Sequence, residues 1–211
     1  MKNKNLILIG GGGHCKSVID VVESTFEWNI LGILDVAENV GNTILGYSVI
    51  GTDDRISDFI DEAYFIVTVG QIKNAGLRVK LHGKVLSSGG ILANIIASDA
   101  YVSKHSKIGI GTVIMHKAVV NAGVEIGTGC IINTMANIEH DAVIGDYCHI
   151  STGVMVNGNC VIGNSNFIGS NAVVVNGIIT AENSIIAAGA VVRKNIEKSG
   201  VYAGNPAVKY K

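Results

Sequence analysis

Proline occurs once in this chain, at Pro206, and no positive or negative charge dominates: the formal net charge is −1. Lys and Arg form no cluster of more than a few residues, which argues against nucleic acid or an anionic membrane surface as the main partner. No apolar run reaches ~18 residues, so no transmembrane helix is expected. The opening "MKNKNLILIGGGG" has a basic start, but its apolar run is too short for a secretory signal and reads as a first β-strand. The four cysteines, Cys15, Cys130, Cys148 and Cys160, form no CxxC pair and show no zinc-ligand spacing. They are expected to be reduced thiols in a cytoplasmic protein that requires no metal.

What is present is glycine, with 27 residues, and an apolar fraction of 48% that suffices for a sizeable core in one large or two small domains. The first ~90 residues alternate strand-like and helix-like segments. "NLILIG" (5–10), "NILGILD" (29–35) and "AYFIVTVG" (63–70) read as strands, and "HCKSVIDVVEST" and "NAGLRVKLHGKVL" as helices. "GYSVIGTDDRISDFID" holds a short strand, an Asp cap and a helix. This pattern predicts a small Rossmann-like α/β domain over 1–90 with a parallel sheet.

From Ile96 the grammar changes. Aliphatic residues recur at every sixth position through Val192, with Thr180 the one exception. Four residues after most of these slots stands a small residue, such as Thr112, Ala118, Cys130, Ala136, Cys148 or Ala190. Gly or Asn often follows the slot directly, as at Gly109, Asn121, Gly127, Asn133 and Gly145, where a turn with positive φ is expected. Ordinary strands would show period two and drifting register. Period six marks a parallel β-helix over 91–211, with the slot residue inward at a corner and three hexads per 18-residue coil. About five coils fit, and stacked Cys130 and Cys148 fall in one interior column as small core residues.

The stretches "GGGGHCKSVIDV", "ILD", "IEHDAVIGDYCHISTGVMVNGNCVIG" and "GVYAGNPA" together resemble the hexapeptide-repeat sugar acetyltransferases. The similarity is to the branch of sialic acid O-acetyltransferases and nucleotide-linked 4-amino-sugar N-acetyltransferases, and it spans essentially the whole chain. It implies a left-handed β-helix, against the usual right-handed crossover, a homotrimer with active sites in clefts between neighbouring helices, and acetyl-CoA as co-substrate. Where many members carry an Asp pair after the second strand, this chain keeps only Asp35, and Ala97-Ser98 stands where many have His-Pro.

His140 sits two residues past slot Ile138, beside a corner, where an outward or turn position is expected rather than a core one. Flanking Glu139 and Asp141 can orient one ring nitrogen and leave the other free as a base, but only if the chain turns there. The resemblance makes His140 the general base and Asp141 its orienting acid. His149, in the column of Ile131 and Phe167, reads either as a packed histidine or, by resemblance, as a contact to substrate or the acetyl-CoA thioester. Gly158 lies 18 residues past His140, so stacking places its backbone N–H beside that ring, able to hold an oxyanion, though it could be a plain turn glycine. The glycine loop after the first strand reads as a tight turn or a phosphate cradle. The resemblance assigns Gly12, Gly13, His14, Lys16 and Asp35 to the nucleotide-sugar and adds Asn133 as a sugar or base contact.

The function expected is acetyl-CoA-dependent N-acetylation of a nucleotide-linked amino sugar in surface-glycan synthesis. O-acetylation of sialic acid is the alternative. A zinc carbonic anhydrase on the same fold needs three converging histidines that the spacing of His105, His116, His140 and His149 does not supply, and a non-catalytic β-helix leaves the His-carboxylate pair unexplained.

Overall fold

Leu6, Ile7, Leu8 and Ile9 are all buried, which a strand with one solvated face could not achieve. In the computed structural model, which describes residues 4–210, they belong to β1 (Lys4–Ile9) at the heart of a six-stranded sheet. β1 pairs in parallel with β2 (Trp28–Leu34) on one side and β5 (Tyr64–Val67) on the other. β4 (Tyr47–Gly51) continues the sheet beyond β2, and β3 (Thr43–Ile44) closes that edge as an antiparallel strand. β6 (Ile91–Leu92) pairs with β5 at the opposite edge. The last strand of the sheet therefore lies beyond residue 90, and the change of architecture falls between Leu92 and Ile95. α1 (Gly13–Thr25) and α2 (Gly76–Ser87) form as their apolar spacing predicts. The helix expected within "DDRISDFID" is instead a 3-10 segment, Asp53–Phe59, because its apolar stripe, buried Ile56 with half-buried Phe59 and Ile60, spans barely one turn and cannot dock a longer α-helix.

After Ile95 the chain winds through two-residue strands whose second residue is the period-six slot. Three parallel sheets result, one per face of the coil. The first face runs Ile95–Ile96, Val113–Ile114, Ile131–Ile132, His149–Ile150, Phe167–Ile168, Ile185–Ile186 and Val201–Ala203, and Val208–Lys209 closes it as an antiparallel edge strand. The second runs from Tyr101–Val102 to Val191–Val192, and the third, of five strands, from Lys107–Ile108 to Ile179–Thr180. Pairing at a constant offset of 18 residues satisfies each coil from the next, as in Ile131 N–H to Cys148 C=O at 2.9 Å. Slot residues from Ile114 to Val192 and the small residues four places later form one continuous core. Cys130 and Cys148 are among them, each thiol pointed at a backbone carbonyl 3.1 Å away.

The structure corrects the expected place of positive φ. Left-handed backbone occurs three residues after the slot, at Gly111, Lys117, Gly123, Gly129, Met135, Asp141, Tyr147 and onward, not directly after it. The glycine directly after the slot serves close packing instead. A Cβ on Gly145 would lie 2.8 Å from the backbone N of Asn164 in the next coil. Where Asn holds this place its side chain caps the turn, as Asn133 Oδ1 does by accepting from Thr134 N–H at 2.8 Å.

The α/β domain lies against the first face only. α1 buries Val18, Ile19 and Val22 in a cluster shared with Ile95, Val113 and Met115. On α2, His82 packs over Gly111 and Gly129, where no side chain would fit. Outward residues of that face, Ile95, Val113, Ile131 and His149, are therefore buried, whereas Lys107, Glu125 and Val143 in the equivalent places of the third face are exposed.

Thr180, the one polar slot, is explained by a second exception. The residue four places after Ile162 is not small but Asn166, and it is fully buried. Its Nδ2 donates to Thr180 Oγ1 at 2.6 Å, and its Oδ1 accepts from Ser184 N–H. Thr180→Val keeps the volume and removes the acceptor. It is expected to lower stability by about 1–3 kcal/mol through an unsatisfied buried amide, read as a lower denaturation midpoint. An unchanged midpoint would mean the network contributes nothing.

Candidate active site

The strand Asn137–Ile138 ends at a corner between the second and third faces, and Asp141 turns that corner with φ of 59°. This conformation costs an L-residue roughly 1–2 kcal/mol. It folds the Asp141 carboxylate back onto its neighbour, so that Oδ2 lies 2.9 Å from His140 Nδ1. The contact that an extended strand forbids is made because the coil turns here. Nδ1–H donates to the carboxylate, which leaves the Nε2 lone pair free. Gly123 lies one coil before Asp141 and leaves room for its carboxylate. Gly158 lies one coil after His140, and a Cβ there would sit 2.7 Å from both Nε2 and Cε1. Gly158 is buried, and among the described residues its N–H has no protein acceptor. His140 and Asp141 are both solvent-exposed, with side chains 55% and 61% accessible.

A second group of site residues forms under the α/β domain. His14, in the first turn of α1, Asn133 and His149 line a crevice of about 440 Å³ together with Gly13, Ser17, Gly70, Gln71 and Ile72. It opens at the C-terminal ends of β1 and β5, where the sheet order reverses, the usual place for a ligand in such sheets. His149 Nδ1–H donates to the Gln71 carbonyl at 2.7 Å, and Asn133 Nδ2 donates to His149 Nε2 at 3.3 Å. The tautomer follows from these two bonds. Gln71 is held in turn by Arg78, whose Nη1 donates to Gln71 Oε1 at 2.7 Å. Arg78 is 2% exposed and meets no carboxylate among the described residues, and burial lowers its pKa to about 10.

Gly12 and Gly13 open α1, and no side chain caps the helix. Cβ atoms on either would meet nothing, so their backbone is approachable, whereas Gly10 and Gly11 are crowded by Val69 and by Asp35 with Ile44. The helix start therefore presents free N–H groups to an anion. Lys16 faces a separate cavity of about 560 Å³ with Gly11, Asn39, Asn42 and Thr43. Asp35 accepts from Asn39 Nδ2 at 2.7 Å and lines a third cavity, of about 380 Å³, with Leu77 and Leu81. His14 and Lys16 thus serve different cavities despite their spacing. His149 groups with His14 and Asn133 on the first face, and Gly158 with His140 on another corner. Within one chain the two expected acetyl-CoA contacts are not together. Gln71 and Arg78 escaped the sequence reading, since a loop Gln and a helical Arg carry no motif. Among the described residues no group of three or more His, Cys, Asp or Glu converges as a metal site, and no helix is long and apolar enough to cross a membrane.

Burial holds His14, His82 and His149 each near a pKa of about 4, from an ordinary 6.5, with Arg78 lowering all three further and His149 also lowering His14. Unfolded, each titrates near its ordinary value, so the unfolded chain binds more protons between those limits. Their contribution to stability is complete above pH 6.5 and is lost as pH falls toward 4. Denaturation midpoints are expected to drop across that window, and His82→Gln should flatten the slope by about one proton. Midpoints that stay level from neutral pH to 4.5 would contradict the buried, neutral assignment.

Residues 5–85 match the family model described as the PglD N-terminal domain. No curated protein sequence matches the chain. Among solved structures, a substituted form of perosamine N-acetyltransferase from Caulobacter crescentus, in complex with CoA and GDP-perosamine, superposes with a TM-score of 0.92 at 30% identity over 98% of this chain and 97% of that one. The acetyltransferase domain of PglB from Neisseria gonorrhoeae, with acetyl coenzyme A, gives 0.91 at 31% identity over 99% and 100%. WeeI from Acinetobacter baumannii shares the fold, with 0.87 at 24% identity over 98% and 100%.

Proposed function

Because the chain belongs to the hexapeptide-repeat sugar acetyltransferase family, we propose that it transfers the acetyl group of acetyl-CoA to the amino group of a nucleotide-linked amino sugar. The observation that carries this reading is the His140 imidazole, with Nδ1 held by Asp141 and Nε2 free directly over Gly158. A free amine is a sufficient nucleophile for a thioester once it is neutral. As its nitrogen bonds to the thioester carbon, it must lose a proton, and His140 Nε2 accepts it. Asp141 stabilises the imidazolium that forms. The carbonyl oxygen becomes an oxyanion, which the unpaired Gly158 N–H can hold. The carbon–sulfur bond then breaks, and CoA leaves as a thiolate that takes up a proton.

The α/β domain grips the nucleotide in this scheme. The open backbone at Gly12 and Gly13 suits a diphosphate, Lys16 and Asp35 line the flanking cavities, and the His14–Asn133–His149 crevice offers uncharged polar groups to the sugar. A homotrimer belongs to the same reading. On the second face Tyr101 and Met155 are exposed, and with half-buried Val119, Val173 and Val191 they make a largely apolar column, interrupted by Asn137. The His140 corner borders this face.

His140→Ala is expected to lower kcat by roughly 10²–10⁴ while KM for acetyl-CoA stays within a few-fold, because proton removal belongs to the transition state. Asp141→Asn should cost less. Raising the pH should partly restore His140→Ala if the acceptor is an amine, whereas a hydroxyl acceptor, as in O-acetylation, would show little rescue. Near-native kcat in His140→Ala would refute the assignment of the base.

Gly158→Ala isolates the geometry. Gly158 has no left-handed backbone, so alanine fits the main chain, and its Cβ meets the His140 ring first. A large loss of kcat with little change in thermal stability is expected. Retained activity would show that the ring need not lie over this glycine.

A further inference from the structure

Two carboxylates flank His140, and Asp141 alone orients its ring. Glu139 is thereby left without a catalytic task, yet it is the more firmly held of the two. Asn137 Nδ2 donates to its Oε1 at 2.9 Å, and Asn121 Nδ2, one coil away, donates to its Oε2 at 3.0 Å. These amides, Asn137 foremost, with the His140 backbone N–H and ring adding to them, hold the Glu139 carboxyl below its ordinary pKa against the opposing effect of burial. Among the described residues no Lys or Arg pairs with it. Glu139 is half-buried at the same corner as the base, and each oxygen retains a lone pair. An ionised carboxylate fixed in position by two neutral donors, beside a general base and lacking a cation, is shaped to receive a cation from outside.

The acceptor brings one. An aliphatic amine is an ammonium near neutral pH, and it must be held as such before it can lose a proton. We infer that Glu139 binds the ammonium group of the acceptor sugar and presents it to His140. This rests on the acetyltransferase reading above. The ammonium first loses one proton to become a neutral amine. The carbon–nitrogen bond forms, a second proton passes to His140 Nε2, and the carbon–sulfur bond breaks. One proton ends on the CoA thiol and one in solvent, so the sum is R–NH₃⁺ plus acetyl-CoA giving R–NH–acetyl, CoA and H⁺. The amide product carries no charge, so the carboxylate that holds the substrate has no ion pair with the product. Glu139 would thus set the preference for an amine over a hydroxyl at the same position.

The test compares charged and neutral ligands within one variant, so that a partly unfolded sample cannot imitate the effect. Calorimetric affinities are measured for UDP- and GDP-linked 4-amino-4,6-dideoxyhexoses, for their 4-hydroxy counterparts and for their N-acetylated products, with wild type, Glu139→Gln and Glu139→Asp. In Glu139→Gln the affinity for the amino sugar is expected to fall roughly tenfold, the scale of one hydrogen bond to a charged group. The neutral ligands and KM for acetyl-CoA should be unaffected, and Glu139→Asp, which keeps the charge, should retain the preference for the amine. Equal losses for charged and neutral ligands would reduce Glu139 to a structural strut, and an unchanged amine preference would overturn the inference outright. A wild-type protein that binds the 4-hydroxy sugars and not the amines would overturn both this inference and the amino-sugar reading. Turnover of amines that is indifferent to Glu139→Gln overturns this inference alone.

Discussion

Backbone hydrogen bonds between neighbouring coils, at a constant offset of 18 residues, are the constraint on which everything else in this molecule rests. A two-residue strand cannot satisfy its own N–H and C=O groups, so each coil is stable only against the next. The offset must then be kept without slip over five coils, and this gives each position a fixed neighbour one coil above and one below. That is how Asp141 comes to stand over Gly123 and His140 over Gly158. It also explains the two uses of glycine. One column permits the left-handed turn, and another admits the backbone of the adjoining coil at a distance no side chain would allow. The pairing of Thr180 with Asn166 obeys the same rule: a polar intrusion is tolerated in the core because the stack brings its partner to it.

The α/β domain turns one face of this prism into an interior. Once α1 and α2 cover the first face, His14 and His149 are kept neutral and His149 is locked in one tautomer by Gln71. Arg78, buried with them, supplies a positive charge that discourages their protonation. The opposite corner stays open. There His140 is exposed, its ring is fixed by a carboxylate and a glycine, and its free nitrogen faces solvent. An exposed, water-accessible base and a sheltered polar crevice are thus built from the same short repeat, and they differ in what lies over them.

Glu139, His140 and Asp141 illustrate how finely a coil corner divides labour. The left-handed backbone at Asp141 ends the strand direction and separates the tasks of the two carboxylates. Asp141 folds back onto the ring, and Glu139 remains with the amides of the second face. In an extended strand Asp141 would point away from the imidazole.

Period six along Ile96–Val192 determined the β-helix, its coil length and its interior columns, since a burial pattern that regular has no other economical packing. The buried-strand runs and the glycine loop determined the parallel α/β sheet. The spacing of 18 between His140 and Gly158 also made their stacking legible. Other features were not. Tertiary contact alone decided where the positive φ falls within the hexad, because any of several corner positions is compatible with the repeat. The 3-10 form of Asp53–Phe59 and the sixth strand at Ile91–Leu92 depend on what each segment packs against. The roles of Gln71 and Arg78, and the separation of His14 from Lys16, arise only when the α/β domain settles on the first face. A sequence can carry a repeat and the offsets it implies, but contacts between a loop and a rung 78 residues apart, such as Gln71 with His149, belong to no period and exist only in the folded chain.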